Sequence, residues 1–143
     1  MKNVLYVCVH NAGRSQMAEA FTNHLATARG LDVRALSAGT VAGTVINARA
    51  IEAMAELGIS MAGQEPKQLT QAMADAADRV VTMGCGVDAE SCPARIHLSE
   101  DWGLDDPKDA SIEEVRAIRD QIHARVETLL GELAGPSYSE VAK

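Results

Sequence analysis

Aromatic residues are scarce in this chain: Tyr6, Phe21, Trp102 and Tyr138 are all it has in 143 positions. So thin a set excludes the stacked aromatic platforms that grip single-stranded nucleic acid. Basic residues are short as well, 13 Lys and Arg against 20 Asp and Glu, for a formal net charge of −7. That balance argues against nucleic acid or an anionic membrane as partner, and an anionic substrate would have to be drawn in by a local site. Long hydrophobic runs are missing too. The N-terminal run, Val4 to Val9, is too short for a signal core or a membrane span, so a cytoplasmic location is expected. Cysteine is limited to Cys8, Cys85 and Cys92. In a reducing compartment three thiols make no structural framework; catalytic or metal-binding use is the better expectation, and the odd count suits a site with one thiol always left over.

What is present suits one ordinary globular domain, with 47% hydrophobic and 23% charged residues and enough length to bury a core. Residues 3–8 (NVLYVC) read as a buried strand. From Ser15 to Arg29, Met17, Phe21 and Leu25 recur at helical spacing, and Gly30 stands at a C-terminal stop. A second strand is expected at 32–37, a helix near 47–57 with Ile51, Met54 and Leu57 apolar, a short helix around 70–77, and strands at 79–83 and 94–98. Ser111 and Glu114 form a capping box ahead of a long helix whose face is Val115, Ile118, Ile122, Val126, Leu129, Leu130 and Leu133. Strand and helix alternate, which predicts an α/β, doubly wound, four-stranded parallel sheet with helices on both faces. The domain is expected over residues 1–135, with a flexible tail at 136–143. In such sheets ligands bind beyond the carboxyl ends of the strands, and Cys8 sits at one of those ends.

The stretch from Cys8 through Val9, His10, Asn11, Ala12, Gly13, Arg14 and Ser15 reads as an oxyanion cradle. A strand-to-helix turn aims N–H groups into one concavity, and the helix start adds its own donors. The same donors favour a thiolate at Cys8. Arg14 offers a planar fork for two oxygens of a tetrahedral anion, Gly13 lets the backbone curl, Asn11 tolerates a left-handed conformation, and Ser15 can donate to the sulfur. The plainer reading, a buried structural Cys with an Arg six residues on by chance, is outweighed by the position between strand and helix.

CVHNAGRSQMAEA (8–20), SAGT (37–40), NARAIEAM (47–54), VVTMGCGVDAESCP (80–93) and WGLDDP (102–107) together resemble the low-molecular-weight protein tyrosine phosphatases and the thioredoxin-coupled arsenate reductases built on their fold. The resemblance implies Asp106 as general acid, while neighbouring Asp105 reads as a solvated loop acid. It implies Cys8 as nucleophile toward arsenate, Cys85 attacking Cys8 to release arsenite, and Cys92 attacking Cys85 to leave a disulfide that thioredoxin, or else a mycothiol or glutaredoxin route, would reduce. A helix over 85–92 would hold those two Cα atoms roughly 10 Å apart, beyond the about 4.4–6.8 Å of a disulfide, so this segment is expected to rearrange.

No tightly bound cofactor or metal is expected. A zinc site from Cys85, Cys92 and His97 has the wrong spacing, and potassium, held in some relatives by positions resembling Asn11, Glu19 and Ser37, would meet Lys67 here. Lys108 follows the Asp-Pro where phosphatases of this family carry an aromatic residue, which weakens a phosphotyrosine reading. Trp102 is expected to anchor the Asp106 loop, and His24, His97 and His123 to face solvent or pack lightly. Two alternatives stand beside a monomeric reductase: a phosphatase acting on phosphotyrosine or small phosphate esters with Cys8, Arg14 and Asp106, and an oxyanion- or arsenite-binding sensor, since three thiols can chelate trivalent arsenic.

Overall fold

The computed structural model describes residues 2–83, 100–104 and 109–134. Strand β1 (Lys2–Cys8) lies inside the sheet because every residue from Val4 to Cys8 is buried. It pairs in parallel with β2 (Val33–Gly39) on one side and β3 (Arg79–Thr82) on the other. A two-residue strand, β4 (Glu100–Asp101), continues the sheet beyond β3, giving the order β2-β1-β3-β4. Parallel neighbours need crossovers: α1 (Arg14–Arg29) lies between β1 and β2, α2 (Ala48–Ala55) and α3 (Gln71–Ala76) lie between β2 and β3, and α4 (Ile112–Ala134) follows β4. The fold is the expected four-stranded parallel sheet with helices. Segment 94–98, expected as a strand, lies outside the described residues, as does the expected tail at 136–143.

Alternation along β1 sorts two cores. Val4, Tyr6 and Cys8 join Met17 and Phe21 of α1 and Ile122, Val126 and Leu129 of α4. Leu5 and Val7 join Leu69 and Ala74 on the other face. Burying each large side chain of this kind contributes about 1.5–3 kcal/mol. β2 is an edge strand whose first four residues alternate buried with exposed, which leaves Leu36 turned outward. Phe21 stacks on the His123 imidazole at 4.8 Å, so that histidine is packed on one face, and His24 is exposed.

α4 begins as read from the sequence: Glu114 N–H donates to Ser111 Oγ at 3.2 Å, and Ser111 N–H donates back to Glu114 Oε1 at 3.2 Å. α2 departs from the expectation. Its buried face is Ala50, Ala53 and Met54, while Ile51 and Leu57 are exposed. Small residues let α2 come close to α4, where Ala53 meets Val115 and Ala110. Arg116 and Arg119 then clasp Glu56 across the pair. No helix among the described residues is long and apolar enough to cross a membrane.

Candidate active site

β1 carries Cys8 to the carboxyl edge of the sheet, and the chain turns through residues 9–13 into α1. The turn is shaped from outside. Thr40 N–H donates to Cys8 O at 3.0 Å, Val41 N–H to Val9 O at 2.8 Å, Gly43 N–H to His10 O at 2.9 Å and Asn47 N–H to Ala12 O at 2.7 Å. In a trans peptide the carbonyl and the following N–H point opposite ways. Drawing four carbonyls toward residues 40–47 therefore turns the loop's N–H groups inward. Gly39 is needed for this approach, because a Cβ there would lie 2.5 Å from Val9 O. His10 is exposed, and its Nδ1–H donates to Val41 O at 3.0 Å, since a carbonyl can only accept.

Asn11 adopts the left-handed conformation, φ 54°, and is fully buried. That conformation sends its N–H to Cys8 Sγ at 3.2 Å. Its side chain has one possible orientation. Lys67 N–H can only donate, and it meets Oδ1 at 2.8 Å, so Nδ2 must be the atom 2.8 Å from Ser15 Oγ. Ser15 accepts there, and its single proton is left to point at Cys8 Sγ, 2.9 Å away. Two donors thus converge on the sulfur, an arrangement that favours the thiolate.

α1 adds an uncapped N-terminus. Asn47, Thr70 and Ser111 bond the first turns of α2, α3 and α4 with their side chains, but Gly13 offers α1 none, and its first turn holds no acidic residue. The positive end of that helix dipole faces the concavity.

Arg14 is buried, with Nη1 donating to Met83 O at 3.1 Å and Leu104 O at 2.8 Å. It therefore ties the loop to the residues that follow β3 and β4 as well as offering a cation. Glu19, 7% exposed, accepts the Ser37 hydroxyl at 2.7 Å and the Lys67 ammonium at 3.3 Å. The Lys67 ammonium thus stands beside Glu19 and Ser37, while its backbone N–H holds Asn11. No buried side-chain nitrogen or oxygen among the described residues lacks a partner.

Trp102 is buried against the Tyr6 ring, centroids 5.4 Å apart, and its backbone N–H donates to Thr82 O at 2.9 Å. Tyr6 donates to Thr22 Oγ1 at 2.7 Å, because the Thr22 proton goes to Ala18 O, and burial pushes the phenol's pKa well up. Cys85, Cys92, His97, Asp105, Asp106 and Lys108 lie outside the described residues. Sequence reasoning missed Gln16, fully buried with its Nε2 on Asn11 O at 3.0 Å, Asn11 Oδ1 at 2.9 Å and Glu65 O at 2.9 Å. An amide in the first turn of a helix that nothing else caps was the available signal.

The chain is 36% identical over 135 residues to the glutaredoxin arsenate reductase of Synechocystis, spanning 94% of this chain and 100% of that one. It superposes on a solved arsenate reductase in the phosphate-binding state with TM-score 0.77 and 37% identity, covering 92% of this chain and 98% of the other. It superposes on a thioredoxin-dependent arsenate reductase of Corynebacterium glutamicum with TM-score 0.74 and 36% identity, covering 92% of this chain but 61% of that longer one. The pattern of low-molecular-weight phosphotyrosine protein phosphatases matches residues 3–137. With the Cys8 loop closed around its sulfur in this sheet, the chain belongs to the low-molecular-weight phosphotyrosine protein phosphatase family.

Proposed function

We propose that the protein is an arsenate reductase recycled by an external thiol protein, thioredoxin in the first instance. The observation that carries the chemistry is the Cys8 sulfur held between Asn11 N–H and Ser15 Oγ. The likeness to arsenate reductases at 36–37% identity supports the choice of substrate.

Arg14, held in place by its Nη1 on two carbonyls, is the guanidinium that meets the anion. The loop N–H groups and the α1 N-terminus take the remaining charge. Cys8 thiolate attacks arsenic, and one oxygen leaves as water after Asp106 supplies a proton. Cys85 thiolate then attacks Cys8 Sγ. The S–As bond breaks with its electron pair moving to arsenic, so As(V) becomes As(III), arsenite departs and a Cys8–Cys85 disulfide remains. Cys92 attacks Cys85 Sγ, releasing Cys8 thiolate and forming Cys85–Cys92, which the external dithiol reduces with two electrons.

The test is arsenate-dependent NADPH consumption with thioredoxin and thioredoxin reductase, repeated with glutaredoxin, glutathione and its reductase. Wild type is expected to turn over repeatedly, and Cys8→Ser, Cys85→Ser and Cys92→Ser to lose multiple turnover. Wild-type rates in Cys92→Ser would remove the cascade, and preference for glutaredoxin would replace the reductant. The family match favours one second reading, a phosphatase needing Cys8, Arg14 and Asp106 alone. Rapid hydrolysis of p-nitrophenyl phosphate by the Cys85→Ser/Cys92→Ser protein, with no arsenate reduction by wild type, would establish it instead.

A further inference from the structure

We infer that Gln16 is a positioning residue that sets the reactivity of Cys8 through Asn11. The inference rests on the reading of Cys8 as the nucleophile. Gln16 never touches the sulfur. It acts one residue away, on the only non-glycine loop residue held at positive φ between Cys8 and Arg14.

Asn11 gains nothing intrinsic from its left-handed backbone; an L-residue there is disfavoured, although Asn tolerates it better than most. Something outside the loop must hold it, and the Gln16 carboxamide grips both ends of the residue, the backbone carbonyl at 3.0 Å and the side-chain Oδ1 at 2.9 Å. A shift of Asn11 would break both bonds together. The Gln16 amide is itself oriented from the far side. Gln64 Nε2 donates to Gln16 Oε1 at 2.7 Å, so Oε1 must be the oxygen and Nε2 must face Asn11. Three acceptors, Asn11 O, Asn11 Oδ1 and Glu65 O, surround a nitrogen with two protons. Only a donor satisfies that spot.

The brace is anchored in turn. Lys67 N–H holds Asn11 Oδ1 at 2.8 Å, while Lys67 O accepts from Gly39 N–H at 2.8 Å at the end of β2. Segment 64–67 therefore couples the edge strand to the first turn of α1. Removing the Gln16 amide leaves Asn11 one donor, loosens its φ, and weakens both paths to the sulfur: the direct N–H and the relay through Ser15.

The test is the pH dependence of Cys8 alkylation by iodoacetamide, followed by mass spectrometry in a Cys85→Ser/Cys92→Ser background. The parent should titrate well below the ordinary thiol value of about 8.5. Gln16→Met, close in size but without donors, should raise the midpoint by about one pH unit while unfolding cooperatively. Gln64→Met, at a half-buried position, should move it the same way by less, and it carries the test if Gln16→Met does not fold. A depressed parent midpoint left unmoved in the folded variants overturns the brace alone. A parent midpoint at the ordinary thiol value overturns the brace and the reading of Cys8 together.

Discussion

Two polar clusters in this molecule look alike on a list of hydrogen bonds and differ in what they do. One surrounds Cys8 and includes Asn11, Ser15, Gln16, Glu19 and Ser37, all buried. The other is the clasp of Arg116 and Arg119 on Glu56 between α2 and α4, with bonds of 2.6 and 2.7 Å. In the clasp, a buried Arg119 and an exposed Arg116 end on one half-exposed carboxylate, whose charge they match. Around Cys8 the donors run in one direction, from Lys67 N–H through Asn11 and Ser15 to a sulfur. Donors that end on a nucleophilic sulfur mark a site; donors that end on a matched carboxylate do not.

That contrast can be broken in four places. Cys8→Ser should abolish turnover, since an alcohol in the same bowl is a far weaker nucleophile; measurable steady-state reduction by this variant would end the case for the site. Arg14→Lys should lower kcat/KM by about 10²–10³, because an ammonium cannot hold Met83 O, Leu104 O and two anion oxygens at once. Gly39→Ala should destabilise the fold by about 1–3 kcal/mol as the new Cβ pushes Val9 O, and slow the reaction about tenfold or more by displacing the loop. Urea unfolding and steady-state kinetics on one preparation read both effects.

Glu56→Gln should do least. The Arg116 hydrogen bond, with Arg119 assisting, lowers the Glu56 pKa below its ordinary 4.5. A carboxylate with a depressed folded pKa adds stability above its unfolded value, and that stability is lost as pH falls through the folded value. Wild type should therefore lose more stability than the variant on acidification below pH 4.5, while activity at neutral pH is the same. A loss of neutral-pH turnover would show that the clasp reaches the site after all.

The parts legible in the sequence were those whose cause is local. The β1 run ends on Cys8, Ser111 caps three residues ahead, and Asn11 is a residue type that accepts positive φ. Each follows from a few neighbouring side chains. The parts that stayed hidden are joined across the chain. Lys67 reaches Asn11 from 56 positions away, and residues 40–47 close on the loop only because β2 lies beside β1. The α2 face was misread for a related reason: Ile51 and Leu57 have the right spacing, but room beside α4 favours alanine over bulk. Gln16 stood within the motif, yet its partners Gln64 and Glu65 could not be paired with it before the fold was known.

Because residues 40–47 grip the loop's carbonyls, the form of the bowl is set by the fold rather than by a guest. A rigid receptacle of peptide dipoles measures size and charge; it cannot see which element sits at the centre of a tetrahedral anion. Phosphate should enter about as readily as arsenate, and discrimination falls to the later question of which central atom accepts an electron pair. In phosphate-rich surroundings such a protein should be mostly occupied by an unreactive visitor, and its pace should follow the ratio of the two anions.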